Sequence, residues 1–194
     1  MAISAAIMGA LGAAAYTGGN LFFNDGSSLS GWTVSGATVD ATIGNPAPSL
    51  KAYPTNQYAY IAPPGITDLI GKSIKFDCKL GTSEALANLF FGCNASGAGR
   101  MLRLDMRSDN LPGISTTTSW TAWSAPSSTF ALIDSNWHTY QIDIKTGPVV
   151  DVWKDGVKVL SNISIVLNGT YIGISGDGGS QGGNFDNISI FNTV

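Results

Sequence analysis

The spacing of turn residues constrains this chain more than any other feature. From residue 21 onward, Gly, Pro, Asn and Asp interrupt the sequence every few residues, and the pieces between them alternate apolar and polar side chains. A period of two sends successive side chains to opposite faces of a strand, whereas a helix needs apolar residues three and four apart. Residues 32–34, 38–43, 58–61, 137–145, 149–154, 171–175 and 185–191 carry the strand pattern, and no helical period competes with it. Asn24-Asp25-Gly26-Ser27-Ser28, Asn45-Pro46-Ala47-Pro48 and Pro63-Pro64-Gly65 are the turns between them. Gly and Asn reach the positive φ angles that such turns need. Many short strands divided in this way imply an all-β sandwich or barrel.

Two stretches allow a register to be read. Asp155-Gly156 joins residues 149–154 to Val157-Lys158-Val159-Leu160, and Asp-Gly is a strong signal for a two-residue hairpin. Ile74, Phe76, Cys78 and Leu80 share one strand face, as do Leu89, Phe91 and Cys93. Pairing Leu80 with Phe91 sets Cys78 opposite Cys93, with residues 81–88 as the hairpin loop. Opposed residues lie about 4.5–5.5 Å apart, so a disulfide is feasible; two buried thiols acting as small hydrophobes are the alternative. In residues 100–107, Leu102, Leu104 and Met106 fall on one side and Arg103, Asp105 and Arg107 on the other, which predicts a strand with one wet, charged face.

Composition narrows the function classes. At 194 residues the chain fits one domain with a core that needs no staple. Its net charge is −3, and its ten Lys and Arg form no basic stripe in the sequence, which excludes nucleic acid as a partner. The same balance carries no polybasic signal for an anionic membrane. Two cysteines are too few for a disulfide scaffold and lack zinc-ligand spacing. Sequons at Asn94, Asn162, Asn168 and Asn187 are expected by chance in a chain so rich in Asn, Ser and Thr.

Residues 1–15 contain no charged side chain. The run is shorter than the ~20 residues that span a bilayer. Ala13-Ala14-Ala15 would suit signal cleavage, but no Lys or Arg precedes the apolar stretch. Small residues recur four apart, as Ala5, Gly9 and Ala13 and as Ala6 and Ala10, which would give a helix a smooth face for close approach to another backbone. The expectation is an N-terminal anchor segment and linker over residues 1–19, used for assembly with another subunit, and a β-sandwich domain over residues 20–194.

Three stretches resemble the concanavalin A-like lectin/glucanase superfamily, including its laminin-G-like members, of the kind carried by phage virion proteins. They are Asn20-Leu21-Phe22-Phe23 with Leu29-Ser30-Gly31-Trp32-Thr33-Val34, then Trp137-His138-Thr139-Tyr140-Gln141-Ile142 with Val150-Asp151-Val152-Trp153-Lys154-Asp155-Gly156, and finally Tyr171-Ile172-Gly173-Ile174 with Phe185-Asp186-Asn187-Ile188-Ser189-Ile190. The resemblance implies a two-sheet antiparallel jelly roll whose concave face or rim loops hold glycans. The opening and ending stretches are also similar to some carbohydrate-binding modules. Glycosidases of the superfamily carry a Glu-x-Asp-x-Glu strand, and a retaining mechanism needs two carboxyl groups about 5–5.5 Å apart. This chain has a single glutamate, Glu84, in the expected 81–88 loop. The expectation is a protein that is not an enzyme.

The remaining chemistry is sparse. His138 is the only histidine and alternates with Tyr140, Ile142 and Ile144, which marks it as packed rather than catalytic. Asp105 and Asp109, like Asp151 and Asp155, read as strand-face and turn residues. The glycine-rich residues 176–184 lack the Lys and following helix of a phosphate cradle. Asp25, Asp177 and Asp186, with Asn24, fall near turns or strand ends; calcium takes several such oxygens, and similar modules hold a structural calcium between first and last strands. Ordinary turn-forming Asp and Asn are the alternative reading, and no other cofactor is expected. Trp120 and Trp123 lie in a polar stretch, where an exposed indole offers a flat face to a sugar ring; Arg103, Asp105 and Arg107 would supply polar contacts. The alternative places one or both indoles over the core. Two functions follow: a structural protein of a virus-like particle (capsid decoration or fibre) displaying a lectin-like jelly roll, homo-oligomeric and exposed on the particle surface, or a secreted or cell-surface carbohydrate-binding module.

Overall fold

The computed structural model describes residues 19–52, 56–81, 85–106, 111–131, 133–177 and 182–193, with Asp177 described by its backbone. These residues form two antiparallel sheets. Sheet I runs, in spatial order, β14 (Val157–Ser164), β13 (Val149–Lys154), β12 (His138–Lys145), β6 (Lys72–Leu80), β16 (Gly183–Asn192), β4 (Ser49–Ala52) and β3 (Thr38–Asp40), with β1 (Phe22–Asn24) also on β16. Sheet II runs β10 (Ala122–Trp123), β9 (Gly113–Ser119), β8 (Gly99–Asp105), β7 (Leu86–Cys93), β15 (Tyr171–Asp177), β5 (Gln57–Ile61) and β2 (Thr33–Ser35), with β11 (Ser128–Thr129) on β9. The result is the expected all-β sandwich of jelly-roll type.

Strand alternation builds the core between the sheets. Ile74, Phe76, Tyr140, Ile142, Val150, Val152 and Phe185 of sheet I meet Ala59, Ala87, Leu89, Phe91, Leu102, Leu104, Ile172 and Ile174 of sheet II, all buried in one cluster. Each large apolar side chain removed from water contributes about 1.5–3 kcal/mol. One bulge keeps β16 in phase with this core. The register against β6 slips between Asp186 and Ser189, and Asn187 takes φ 49°. Phe185 before the bulge and Ile188 and Ile190 after it therefore all point inward. The Asp155-Gly156 hairpin forms as read, with φ of 51° and 77° at its two residues, the left-handed pair of a type I′ turn.

Two local expectations fail. β6 and β7 do not form a hairpin: β6 belongs to sheet I and β7 to sheet II, so the chain changes sheet between them. Cys78 stands opposite His138 and Phe185, Cys93 opposite Tyr171, and both are buried free thiols. Burial pushes Cys93 up to about 12 and Cys78 upward as well. Nor is the charged face of β8 wet, since Arg103 is 6% and Asp105 0% exposed. The anchor residues Ala5, Ala6, Gly9, Ala10 and Ala13, together with Glu84, Arg107 and Asp109, lie outside the described residues.

Candidate functional site: an aromatic face on sheet II

On β5, Ala59 and Ile61 point into the core, so Tyr58 and Tyr60 point outward. On β7 and β8 the same alternation turns Phe90 and Met101 outward, and Tyr171 and Gly173 of β15 share their face. Opposed pairs align Tyr60, Gly173, Phe90, Met101 and Ser115 in one row across five strands. Gly173 leaves a gap in that row. A Cβ there would stand 2.8 Å from the Trp120 ring, so the indole, carried in by the turn between β9 and β10, lies over the glycine. Trp120 stacks on Tyr60 with centroids 4.3 Å apart and planes 9° apart, and receives the Phe90 edge at 5.3 Å and 69°. Its Nε1–H donates to the Ala95 carbonyl at 3.2 Å.

Trp120 is 5% exposed and is thus the floor of the patch rather than a free platform. The side chains around it, Tyr58, Tyr60, Trp123 and Tyr171, are half-buried and present ring surface to solvent. Tyr58 stacks on Tyr60 at 6.2 Å, and Tyr171 tilts against Tyr60 at 5.9 Å. Thr33 and Ser35 of β2, both exposed, lie opposite Tyr60 and Tyr58. Stacked rings edged by hydroxyls suit a ligand with flat C–H faces and many hydroxyl groups. Trp120 and Trp123 were visible as candidates in the sequence. The tyrosines were missed, although Tyr58 and Tyr60 alternate with Ala59 and Ile61, which is a readable sign of an aromatic face.

The next row on the same face is polar and buried. Ser175, Asn88 and Arg103 oppose one another, and Asn88 Nδ2 donates to Ser175 Oγ at 3.0 Å. Arg103 Nε and Nη2 both donate to Asp105 Oδ2, at 3.1 and 2.6 Å. A buried ion pair holds its geometry because either charge alone would be costly to desolvate. Arg103 and Asp105 therefore brace each other beside the aromatic patch.

Of the expected calcium ligands, Asp25 and Asp186 lie near each other. Asp186 accepts the Asn45 N–H at 2.6 Å on one oxygen and the Asn187 N–H at 2.7 Å on the other. Burial raises its carboxyl above the usual range against those two bonds, and Asp77 and Asp25 nearby add to the rise. Asp25 turns one oxygen to the Ser27 backbone and hydroxyl, and its carboxyl is lowered by them. Asn24 Oδ1 accepts the Gly26 N–H, and Asp177 belongs to the other sheet. Among the described residues no three acidic, His or Cys side chains are placed to hold a metal ion. Asn, Asp and backbone groups here hydrogen-bond to one another.

Among the described residues the carboxylates offer two opposed pairs, and both are covered: Asp143 with Asp151, 8% and 1% exposed, and Asp77 with Asp186. Asn45 Nδ2 and Asn187 Nδ2 donate to Asp77 Oδ2, Thr139 Oγ1 to Asp77 Oδ1, and Asp77 and Asp186 are 9% and 1% exposed. His138 is clasped by Asp155 at Nδ1 (2.7 Å) and Asp134 at Nε2 (2.8 Å), so neither ring nitrogen is left to activate a nucleophile. A groove of about 300 Å³ at the end of sheet I is lined by Phe130, Ala131, Lys154, Asp155, Val157 and Val159. It gathers one cation and one anion, with none of the stacked rings of the sheet II patch.

No protein-family model matches the sequence, and no curated protein is similar to it in sequence. Solved structures are similar in fold. The carbohydrate-binding module CBM66 of Bacillus subtilis superposes with a TM-score of 0.59 at 15% identity, covering 82% of this chain and 94% of that one. A Bacillus subtilis protein of unknown function with a galectin-like fold gives 0.61 at 13% identity, covering 91% and 98%. The carbohydrate recognition domain of Emp47p gives 0.58 at 12% identity, covering 94% and 100%. At such identities the likeness speaks to the fold, and the fold is that of the lectin-type jelly rolls.

Proposed function

We propose that the protein is a non-enzymatic carbohydrate-binding domain whose ligand lies on the aromatic patch of sheet II. The observation that carries this reading is the aromatic layer in which Tyr58 and Tyr60 stack with the buried Trp120 and the half-buried Tyr171 and Trp123 pack beside them. The likeness in fold to a carbohydrate-binding module and a carbohydrate recognition domain supports it. A glycan array with Tyr60→Ala and Trp123→Ala beside the wild type tests it. At least tenfold weaker binding by both variants, with melting temperatures held, is expected; unchanged binding removes the patch as the site.

A second reading sets the same domain on a virus-like particle or another extracellular particle as a decoration or fibre protein, with residues 1–19 joining it to partner subunits. The small-residue repeat at Ala5, Gly9 and Ala13 and at Ala6 and Ala10 favours it. The two readings are compatible, because a particle-borne jelly roll can bind surface glycans; a secreted or cell-surface module is the alternative setting.

A further inference from the structure

The lysines are scattered in the sequence but converge in space: every one lies on a strand of sheet I, while Arg100 and Arg103 lie on β8 of sheet II. Alternation turns Lys51, Lys75, Lys79, Lys145 and Lys158 to the outer face, away from the core. Carboxylates share that face but at a different depth. Asp77, Asp143, Asp151 and Asp186 are 9%, 8%, 1% and 1% exposed, whereas the side chains of Lys51, Lys145 and Lys158 are 38%, 37% and 38% exposed. Three of these four are satisfied by neutral groups, Asp77 and Asp186 as described above and Asp143 by Ser73 Oγ, Gln141 Nε2 and Trp153 Nε1, each at 2.7 Å, while a fifth carboxylate on this face, Asp40 of β3, pairs with Lys51 at 3.4 Å. Asp151 takes Lys145 and Lys158. An approaching solute therefore meets ammonium groups first and carboxylates only beneath them.

Within this layer one row is organised. Lys75, Gln141, Trp153 and Lys158 stand opposite one another on β6, β12, β13 and β14. At strand spacing the row spans about 14 Å. The Trp153 indole is half-buried, fixed through Nε1 to Asp143, with Lys158 Nζ 4.7 Å from its ring centroid. Holding an indole rigid at an outer surface between two cations is a feature the fold itself does not require.

We propose that this outer face of sheet I binds an anionic polysaccharide, one bearing carboxylates or sulfates along its length, with a sugar ring against Trp153 and its charges between Lys75 and Lys158. Separate ammoniums placed along a row match separate charges along a chain, and the described arginines, whose planar fork grips phosphate in two places, are on the opposite sheet. The indole supplies an apolar contact that a simple ion would leave unused. This site is on the far side of the sandwich from the aromatic patch and does not depend on it.

Dextran sulfate and neutral dextran of equal length separate charge from sugar as probes for the full chain. The wild type is expected to be retained on dextran sulfate at low salt, released by raised salt, and not retained through this face on dextran. Lys75→Ala with Lys158→Ala, and separately Trp153→Ala, should each weaken dextran sulfate binding at least tenfold, while Tyr60→Ala with Trp123→Ala leaves it unchanged. Lys75→Gln alone, at a side chain with no ion pair among the described residues, guards against unfolding of the others and should cost a smaller but measurable share. The proposal is overturned by no retention of the wild type on dextran sulfate, or by retention indifferent to the lysine variants. Loss that follows the Tyr60 and Trp123 variant would move the anionic ligand to sheet II and overturn it too. Vesicles of anionic lipid bound equally well, with no effect of Trp153→Ala, would replace the sugar by a membrane surface.

Discussion

Trp120 owes its place to what its neighbours lack. Gly173 clears the space under the ring and Gly97, at φ 90°, lets the backbone pass beside it, so that Tyr60 can stack at 4.3 Å. Nothing local in Ser119-Trp120-Thr121 announces this burial, because the partners come from β5, β7 and β15, and sequence reading had to leave the indole either exposed or covering. Removing it should leave a cavity under the patch: Trp120→Ala is expected to cost about 3–5 kcal/mol in denaturant unfolding. Trp123→Ala, at a half-open position, should cost under about 1.5 kcal/mol and be felt in ligand binding instead. Asp151 supplies a second test at this scale. Burial alone would raise its carboxyl, but hydrogen bonds from Lys145, Lys158 and the Asn162 N–H outweigh it and hold the group well below its usual range. A depressed carboxylate contributes stability that is complete above the unfolded value of about 3.9 and drains away as pH falls through the folded one. The wild type should therefore lose stability on acidification below about pH 4, and Asp151→Asn should be less stable at pH 7 with a flatter acid limb, as followed by thermal melts across pH.

Strand elements were legible wherever pairing is decided within a few residues. The hairpin at Asp155-Gly156 could be read because two adjacent positive-φ residues dictate a type I′ turn between neighbouring strands. Gly156→Ala puts a Cβ at φ 77° and should lower stability by about 1–2 kcal/mol without altering the pairing of β13 with β14, measurable by denaturation and amide exchange. The step from β6 to β7 shows the converse. Both strands alternate, and a short connection between two alternating strands serves a hairpin or a crossing between sheets equally well; only the rest of the molecule decides. A bulge then misled the reading of Cys93. The β7–β15 register slips between Tyr171 and Gly173, with Gly92 at φ 61°, so Phe91 stays in the core while Cys93 turns to the outer aromatic layer. Period-two reasoning carries across a strand only until an extra residue resets the phase. For Arg103 and Asp105 the period gave the correct side of β8, but a period does not tell whether that side is wet, and both are buried.

At the scale of the molecule, the jelly roll was accessible from turn spacing and alternation because both are properties of the whole chain. The aromatic patch and the lysine row were not, since each is assembled from strands far apart in sequence. Deleting residues 1–19 should leave the sandwich folded, because β1 begins at Phe22 and the core among the described residues is complete without them. Circular dichroism of the truncated protein should match the intact chain, and sedimentation should show the loss of any self-association or particle binding; unfolding would instead make the segment part of the domain. The position of β16 bears on how such a chain comes to be folded at all. That strand, residues 183–192, pairs with β6 on one side and with β4 and β1 on the other. Until it arrives, sheet I exists as two halves with no shared edge, and β1 has no strand to lie on. A ribosome must therefore release almost the whole domain before the sheet can close, and the nascent chain meanwhile displays the open flanks of β6 and β4 to its surroundings. Contacts of such long sequence separation make for slow closure and a long exposure of unpaired edges, so synthesis of this protein should lean on whatever holds nascent strands apart.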